Sequence, residues 1–365
     1  MTLVVKLGSS IVAADDGELR VDVLDSVCAQ VAQLEQRGER IVLVTSGAIA
    51  RGIWLMGLEK RPTAMASLQA ASAIGQGDLF RAYEERLAKH QTRAAQVLLT
   101  LSDISERSHY VNARQTLERL INWKVVPVIN ENDTTSTDEI TFGDNDSLAA
   151  LVAVLLGARS LILLTNTDGL FTADPRFSRD AKIVREVGMF DELEEVDIGR
   201  ETSSFGRGGM SSNVSAARIA SQSEVEAIIC NGTTPGTLEE AVEGTPVGTR
   251  FAPRTGKRTP PYKLWLRYAK EPAGSLYVDR GATKKLREGG SSLLAVGIVD
   301  IAGSFDAGDV VEVVSHDDGE LIGKGVTEFS WRDLSSVLGL KSEAIRERFP
   351  DAPDEVVHRD RFVLV

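Results

Sequence analysis

The sequence is poor in the residues that build redox, metal and membrane sites. Only two of its 365 residues are cysteine, Cys28 and Cys230. That is too few for a disulfide framework or a cysteine zinc site, and it fits a reducing compartment. Four histidines, all far apart in the chain, argue against a histidine metal centre, so no metal ligands are expected. The longest apolar run, Leu148 to Leu156, falls well short of the ~20 residues that span a bilayer. The N-terminus, Met1-Thr2-Leu3-Val4-Val5-Lys6, lacks the apolar segment and cleavage site of a secretory signal and reads as a strand. A soluble, cytoplasmic protein with no membrane partner is the expectation. Cations are scarce too: 41 Lys and Arg against 53 Asp and Glu leave a net charge of −12. Such a chain offers nucleic acid no general cationic surface, although a local basic patch stays open. Also missing are a GxxxxGK[ST] loop and a GxGxxG turn after the first strand, so neither a Walker loop nor a dinucleotide fingerprint is present.

What is present falls into two textures. The length suffices for two domains, each with a core. Up to about residue 250, short apolar runs (Leu3–Leu7, Arg40–Val44, Val125–Ile129, Leu161–Leu164, Val225–Ile229) alternate with helix-period segments such as Val23–Arg37, Ser108–Trp123 and Ser147–Leu156. This alternation predicts an α/β fold, an open, mostly parallel sheet sandwiched by helices. The stretch 251–273 opens with a turn-rich, basic, apolar-poor segment and reads as a linker. From 274 to 365, β-prone pieces (Ser275–Val278, Leu293–Val299, Val310–Val314, Leu321–Val326) separated by Gly/Asp turns, with one helix-like stretch at Trp331–Leu338, predict a small β-rich domain.

The strand ends of the first region run into Gly, Ser, Asn or Asp, and open α/β sheets bind ligands at the carboxyl ends of their strands. Lys6-Leu7-Gly8-Ser9-Ser10 sets a lysine at a strand end before glycine and hydroxyls. This suits an anionic oxygen, or else is a plain turn with a snorkelling lysine. Thr45-Ser46-Gly47-Ala48 repeats the pattern. Asn130-Glu131-Asn132-Asp133 follows an apolar strand, where unpaired amides and acids could not be buried cheaply. These four side chains either line a cleft for a ligand with donors and acceptors, such as an amino acid, or form a solvated loop. Gly143-Asp144-Asn145-Asp146 opens an apolar helix, as an N-cap or as a carboxylate that orients a lysine or an ammonium group. Thr165-Asn166-Thr167-Asp168-Gly169 ends another strand, and Gly206 to Asn213 is a glycine-rich helix start able to cradle phosphate, though such loops are also ordinary turns.

In this order, KLGSS (6–10), TSGAIA (45–50), VPVINEND (126–133), GDNDSLAA (143–150), TNTDGLFTADPR (165–176) and GRGGMSS (206–212) resemble the amino-acid kinase family. Within it they resemble the branch that phosphorylates glutamate, and the tail from Gly274 to Asp360 resembles the PUA module appended there. The resemblance covers essentially the whole chain. It implies a kinase domain over 1–250, a linker over 251–273 and a PUA-like domain over 274–365. The implied reaction is ATP-dependent phosphorylation of the L-glutamate γ-carboxylate, with Mg²⁺, as the first step of proline biosynthesis. Lys6 and Asp146 take the catalytic roles, Lys6 on the transferring phosphoryl group and Asp146 orienting the catalytic lysine. Ser46, Asn130, Asp133 and Asn145 hold glutamate. Lys6, Thr165, Asn166, Arg207, Gly208, Gly209, Met210, Ser211, Ser212 and Asn213 hold ATP. Feedback inhibition by proline and homo-oligomerisation are further implications.

Two positions depart from the family pattern. Asn213 stands where the family carries a lysine that bridges nucleotide phosphates, and Asn166 stands where aspartate is usual. Loss of one preorganised donor costs about 10²–10³ in kcat, so the lysine's absence bears on activity. Three readings follow: Arg207 supplies the charge, the enzyme is slow, or the chain is an impaired relative acting as a ligand sensor. A different alternative is an RNA-binding regulator acting through the PUA-like domain. Residues 251–365 carry 17 Lys and Arg against 18 Asp and Glu, so that domain has no global basic field.

Overall fold

The computed structural model describes every residue except 15, 101–102, 105–106, 136–144, 179, 189–208, 255–262, 264–265, 268–271, 349–352 and 365. Its contacts divide the chain into two units, Met1–Pro261 and Tyr262–Val365.

The first unit is built on eight strands: β1 Thr2–Leu7, β2 Arg40–Val44, β3 Arg93–Leu99, β4 Val125–Glu131, β5 Ser160–Thr165, β6 Glu186–Val187, β7 Glu226–Asn231 and β8 Thr249–Phe251. They form one sheet in the order β3-β4-β2-β1-β5-β7-β8-β6, parallel throughout except where β8 runs antiparallel to β7. The mostly parallel sheet read from the sequence is therefore present. Its five expected runs all lie in strands, the last starting at Glu226 rather than Val225. The apolar pattern does not predict β3, because an edge strand alternates in exposure and Arg93, Ala94, Ala95 and Gln96 make no apolar run.

Strand β1 sits at the centre, with β2 on one side and β5 on the other. The chain thus leaves β1 in both directions, which opens a crevice beyond the strands' carboxyl ends. Alternation along β1 sends Leu3, Val5 and Leu7 into a core with Leu24, Val27 and Val31 of the helix Val21–Gln36. Val4 and Lys6 leave by the opposite face. The helix Asp146–Leu156 packs against β1 and is buried almost all round, as a helix apolar on every side must be.

The sequence pattern misses the helix Met65–Lys89, the longest among the described residues. Its buried positions Leu68, Ala71, Ser72, Gly75, Gln76, Leu79, Ala82 and Tyr83 form one stripe at helical spacing, but small and polar members hide the stripe in the sequence. Small residues are needed there because the helix Ala48–Leu55 crosses at very short range. A Cβ on Gly75 would stand 2.0 Å from the Ala48 carbonyl oxygen, and one on Gly52 would stand 1.8 Å from that of Ala71.

The second unit is a five-stranded sheet in the order β10-β9-β11-β12-β13. Its strands are β9 Gly274–Val278, β10 Ile298–Gly303, β11 Val310–Ser315, β12 Leu321–Thr327 and β13 Val357–Leu364. It has its own core, including Leu276, Val278, Val311, Val313, Val357 and Phe362. Two expectations are corrected. Leu293–Val299 is not one strand: Leu293 bridges Val357, Ala295–Gly297 form a 3₁₀ turn, and β10 begins only at Ile298. The helix expected over Trp331–Leu338 stops at Ser335. No described helix in either unit is long and apolar enough to cross a membrane.

Candidate active site

Lys6 and Asp146 form a buried ion pair, with side chains 3% and 0% exposed. The pair follows from the fold: Lys6 leaves β1 on the side where the helix Asp146–Leu156 packs, and Asp146 is the first residue of that helix. Asp146 accepts a second bond through Oδ2 from Ser212 Oγ at 3.0 Å. One carboxylate therefore ties the lysine at the end of β1 to the first turn of the helix Met210–Ser221. Desolvating two charges is repaid only by such close pairing, so removing either partner alone would cost about 3–5 kcal/mol.

Beside this pair runs a relay of amides. Asn145 occupies the N-cap position of the helix Asp146–Leu156, yet its side chain makes no capping bond. Its Nδ2 donates instead to the Thr45 carbonyl and to Asn130 Oδ1, both at 2.5 Å. Asn130 Nδ2 donates in turn to Gln76 Oε1 at 2.5 Å. Two residues on from Thr45, Gly47 adopts φ 101, a left-handed turn that favours glycine. Ser46 Oγ donates to the Leu7 carbonyl at 3.1 Å, which fastens the end of β2 to the end of β1. Thr45 Oγ1 meets the hydroxyl of fully buried Tyr83 at 2.8 Å.

Asp133 accepts from Ser72 Oγ at 2.5 Å. Burial pushes its carboxyl above the usual carboxylate range, while the Ser72 bond and the nearby Arg61 charge pull the other way. Of the run Asn130–Asp133, Asn130 and Asp133 thus turn toward the helix Met65–Lys89. Asn132 Oδ1 instead accepts from Thr134 Oγ1 at 2.7 Å, a local turn of the kind the solvated-loop reading describes. The contributions of Thr45, Ser72, Gln76 and Tyr83 were not legible in the sequence. The available signal was three polar groups, Ser72, Gln76 and Tyr83, at helical spacing within one buried stripe.

Across β1 from the relay, Thr165 ends β5 with its hydroxyl accepting from Thr167 N at 3.1 Å. Asn166 is exposed, and Asp168 Oδ1 accepts from Asn231 Nδ2 at 2.8 Å. Gly209 precedes the helix Met210–Ser221, whose N-terminus has no side-chain cap and so keeps backbone N–H groups for an anion. Arg207 and Gly208 lie outside the described residues. Ser211 is exposed and Met210 half-buried. Asn213 is buried and folds back on its own helix: Nδ2 donates to the Gly209 carbonyl at 3.0 Å. Its Oδ1 is enclosed and has no hydrogen-bond partner. The Asn213 amide is therefore spent on the loop backbone. Gly8 keeps the space over Lys6 open, since a Cβ there would sit 3.8 Å from Nζ. An uncapped helix start and a buried ammonium fit a phosphate-bearing ligand. Both cysteines are free and buried, with thiols pushed up to about 12 by that burial, which leaves them unreactive.

A mostly parallel sheet thus carries a lysine at its central switch point, tied through Asp146 to a glycine-led helix start. Residues 1–231 match the amino acid kinase family, and the chain belongs to that family. Residues 274–349 match the PUA domain. The chain is 41% identical over 366 residues to the glutamate 5-kinase of Nostoc punctiforme, an alignment covering 100% of this chain and 99% of that one. It is 42% identical over 365 residues to the glutamate 5-kinase of Chromohalobacter salexigens, covering 100% and 96%. With that of a Thermoanaerobacter species it shares 40% over 367 residues, covering 100% and 98%.

Proposed function

We propose that the chain transfers the γ-phosphoryl group of ATP to the γ-carboxylate of L-glutamate, giving glutamyl 5-phosphate and ADP and opening proline biosynthesis. The observation that carries this reading is the buried Lys6–Asp146 pair set directly beside an amide relay. It lies in a chain 40–42% identical along its whole length to three glutamate 5-kinases. On this reading Lys6 contacts the transferring phosphoryl group, and Asp146, itself held by Ser212, orients it. Ser46, Asn130, Asp133 and Asn145 hold glutamate, with the Asp133 carboxylate toward its ammonium group. Thr165, Asn166 and the loop Arg207–Asn213 hold ATP, and Mg²⁺ arrives with the nucleotide and spreads its phosphate charge.

Two anions must meet for this chemistry. A carboxylate ~4 Å from a phosphate charge is repelled by about 1 kcal/mol in bulk water and about 4 kcal/mol at an effective dielectric of ~20. Catalysis is then in-line positioning plus charge cover from the lysine, the metal and the backbone N–H groups. The glutamate oxygen bonds to phosphorus as the bond to the bridging oxygen of ADP breaks. No general base is required, since the attacking carboxylate is already ionised at neutral pH.

The same reading takes residues 1–250 as kinase domain, 251–273 as linker and 274–365 as PUA-like domain, and the two family matches fall within the outer pair. It includes a cytoplasmic location, inhibition by proline and homo-oligomerisation. Support for the last comes from exposed apolar side chains between Trp54 and Ile74, including Leu55, Met56, Leu58 and Met65.

Glutamate-dependent ADP release by the purified full chain tests the reading, and its absence would refute it. Lys6→Ala is expected to lower kcat by at least about 10²–10³-fold, the range for loss of one preorganised donor. Asn213→Lys is expected to raise kcat, by up to about 10²-fold. An unchanged rate would mean that another group already supplies the second charge.

A further inference from the structure

We infer that Gln76 reads the α-carboxylate of the amino-acid substrate through its Nε2 and sets specificity for that group; this rests on the glutamate reading above. The starting point is the direction of the relay. The Thr45 carbonyl can only accept, so the atom of Asn145 facing it must be Nδ2. The same Nδ2 faces Asn130, which must therefore present Oδ1. Asn130 then has only Nδ2 to offer Gln76, and Gln76 must answer with Oε1. One backbone carbonyl thus fixes the orientation of three amides that would otherwise be ambiguous. Gln76 Nε2 is left as the end of the chain, with no hydrogen-bond partner among the described residues. It is not among the fully enclosed polar atoms, so it keeps access to solvent although the residue as a whole is buried.

The chemistry of that end is set by what surrounds it. Asn145 adjoins Asp146, the partner of Lys6, so the relay starts beside the reacting end of the substrate and Gln76 lies two amides further away. The γ-carboxylate belongs at the lysine. What remains for the far end is an ammonium group and a carboxylate. An N–H donor cannot bind ammonium. Asp133, held by Ser72 four residues before Gln76 on the same helix, is the acceptor for the ammonium, and Gln76 Nε2 takes the α-carboxylate.

Gln76→Glu separates this role from a structural one. The variant keeps an oxygen for Asn130 Nδ2 but replaces the outward N–H with a carboxylate. Steady-state kinetics on the full chain are expected to show KM for glutamate raised about 10- to 100-fold, more than kcat falls. KM for ATP should stay within about twofold, as for a distant site. The sharper readout is the preference for glutamate over its α-amide, which keeps the γ-carboxylate. In kcat/KM that ratio is expected to shift toward the amide by at least about tenfold, since an amide N–H can donate to Glu where a carboxylate is repelled. Wild-type KM and an unchanged ratio would overturn the inference. Should Gln76→Glu fail to melt cooperatively, Gln76→Ala carries the same comparison, with a shift toward the amide expected and an unchanged ratio again overturning it. Thermal stabilisation by glutamate without ATP reads binding apart from turnover. Stabilisation of the wild type but not of Gln76→Glu, with no ADP release by either, would sustain the inference and refute the kinase assignment. No stabilisation of the wild type would refute both.

Discussion

Asp133 shows how a single side chain sets stability against binding. Its carboxyl is held above the ordinary value of 3.8 chiefly by burial. The native state therefore keeps a proton that the unfolded chain gives up first. Stability is highest below the usual carboxylate range, falls as pH rises from there through the raised native value, and is flat above it. Asp133→Asn still accepts from Ser72 but carries no charge. In the ligand-free protein it is expected to raise the melting temperature at pH 7, with the gap to wild type closing as pH falls below the carboxylate range. It should also raise KM for glutamate about 10- to 100-fold, the worth of a charge-assisted hydrogen bond. Melting curves at two pH values beside glutamate kinetics check both halves. A variant less stable than wild type at pH 7 would mean that the charge is already compensated. Asn213 makes the complementary point: the sequence shows an amide in the first turn after a glycine-rich loop, but only the structure shows it folded onto the Gly209 carbonyl.

Among the elements, legibility followed the nature of each constraint. Strands and their ends could be read because buried parallel strands are apolar and the turns after them favour glycine or small polar residues, as at Gly47 with its positive φ. The amide cluster at Asn130 and Asn145 could be read as polar groups too costly to bury idle. Its direction could not, because that depends on the Thr45 carbonyl, 100 residues before Asn145. The helix Met65–Lys89 was illegible for a similar reason: its site-facing residues look ordinary until Asn130 and Asp133 are placed against them, 54 and 61 residues away. Gly75 is the residue that sets this helix's depth. Gly75→Ala would put a Cβ against the backbone at Ala48 and Gly52, forcing the helices apart at a cost of about 1–3 kcal/mol. Denaturant unfolding should show that loss, and KM for glutamate should rise as Ser72 and Gln76 are displaced. A neutral Gly75→Ala would refute the close approach.

For the whole molecule, the net charge of −12 is unevenly placed: residues 1–250 carry −11 and the remainder −1. The acidic part is the part that must admit ATP and glutamate, so attraction has to be local, at Lys6, the Arg61 region and the uncapped helix before Met210. The tail is built differently, with a core drawn from its own strands. Residues 272–365 expressed alone are accordingly expected to melt cooperatively, as read by calorimetry. A broad, non-cooperative melt would show that this core is completed by the rest of the chain.

The central position of β1 has a consequence in time as well as space. Its two neighbours are made at very different moments, β2 from residue 40 and β5 from residue 160. At about 5–20 residues per second, the open edge of β1 waits roughly 6–24 s after β2 for the strand that will cover it. Throughout that interval β1, apolar except at Thr2 and Lys6, offers a row of unpaired backbone groups to any neighbouring chain. Synthesis of this protein at high density on one message is therefore where strand exchange between growing copies would first occur.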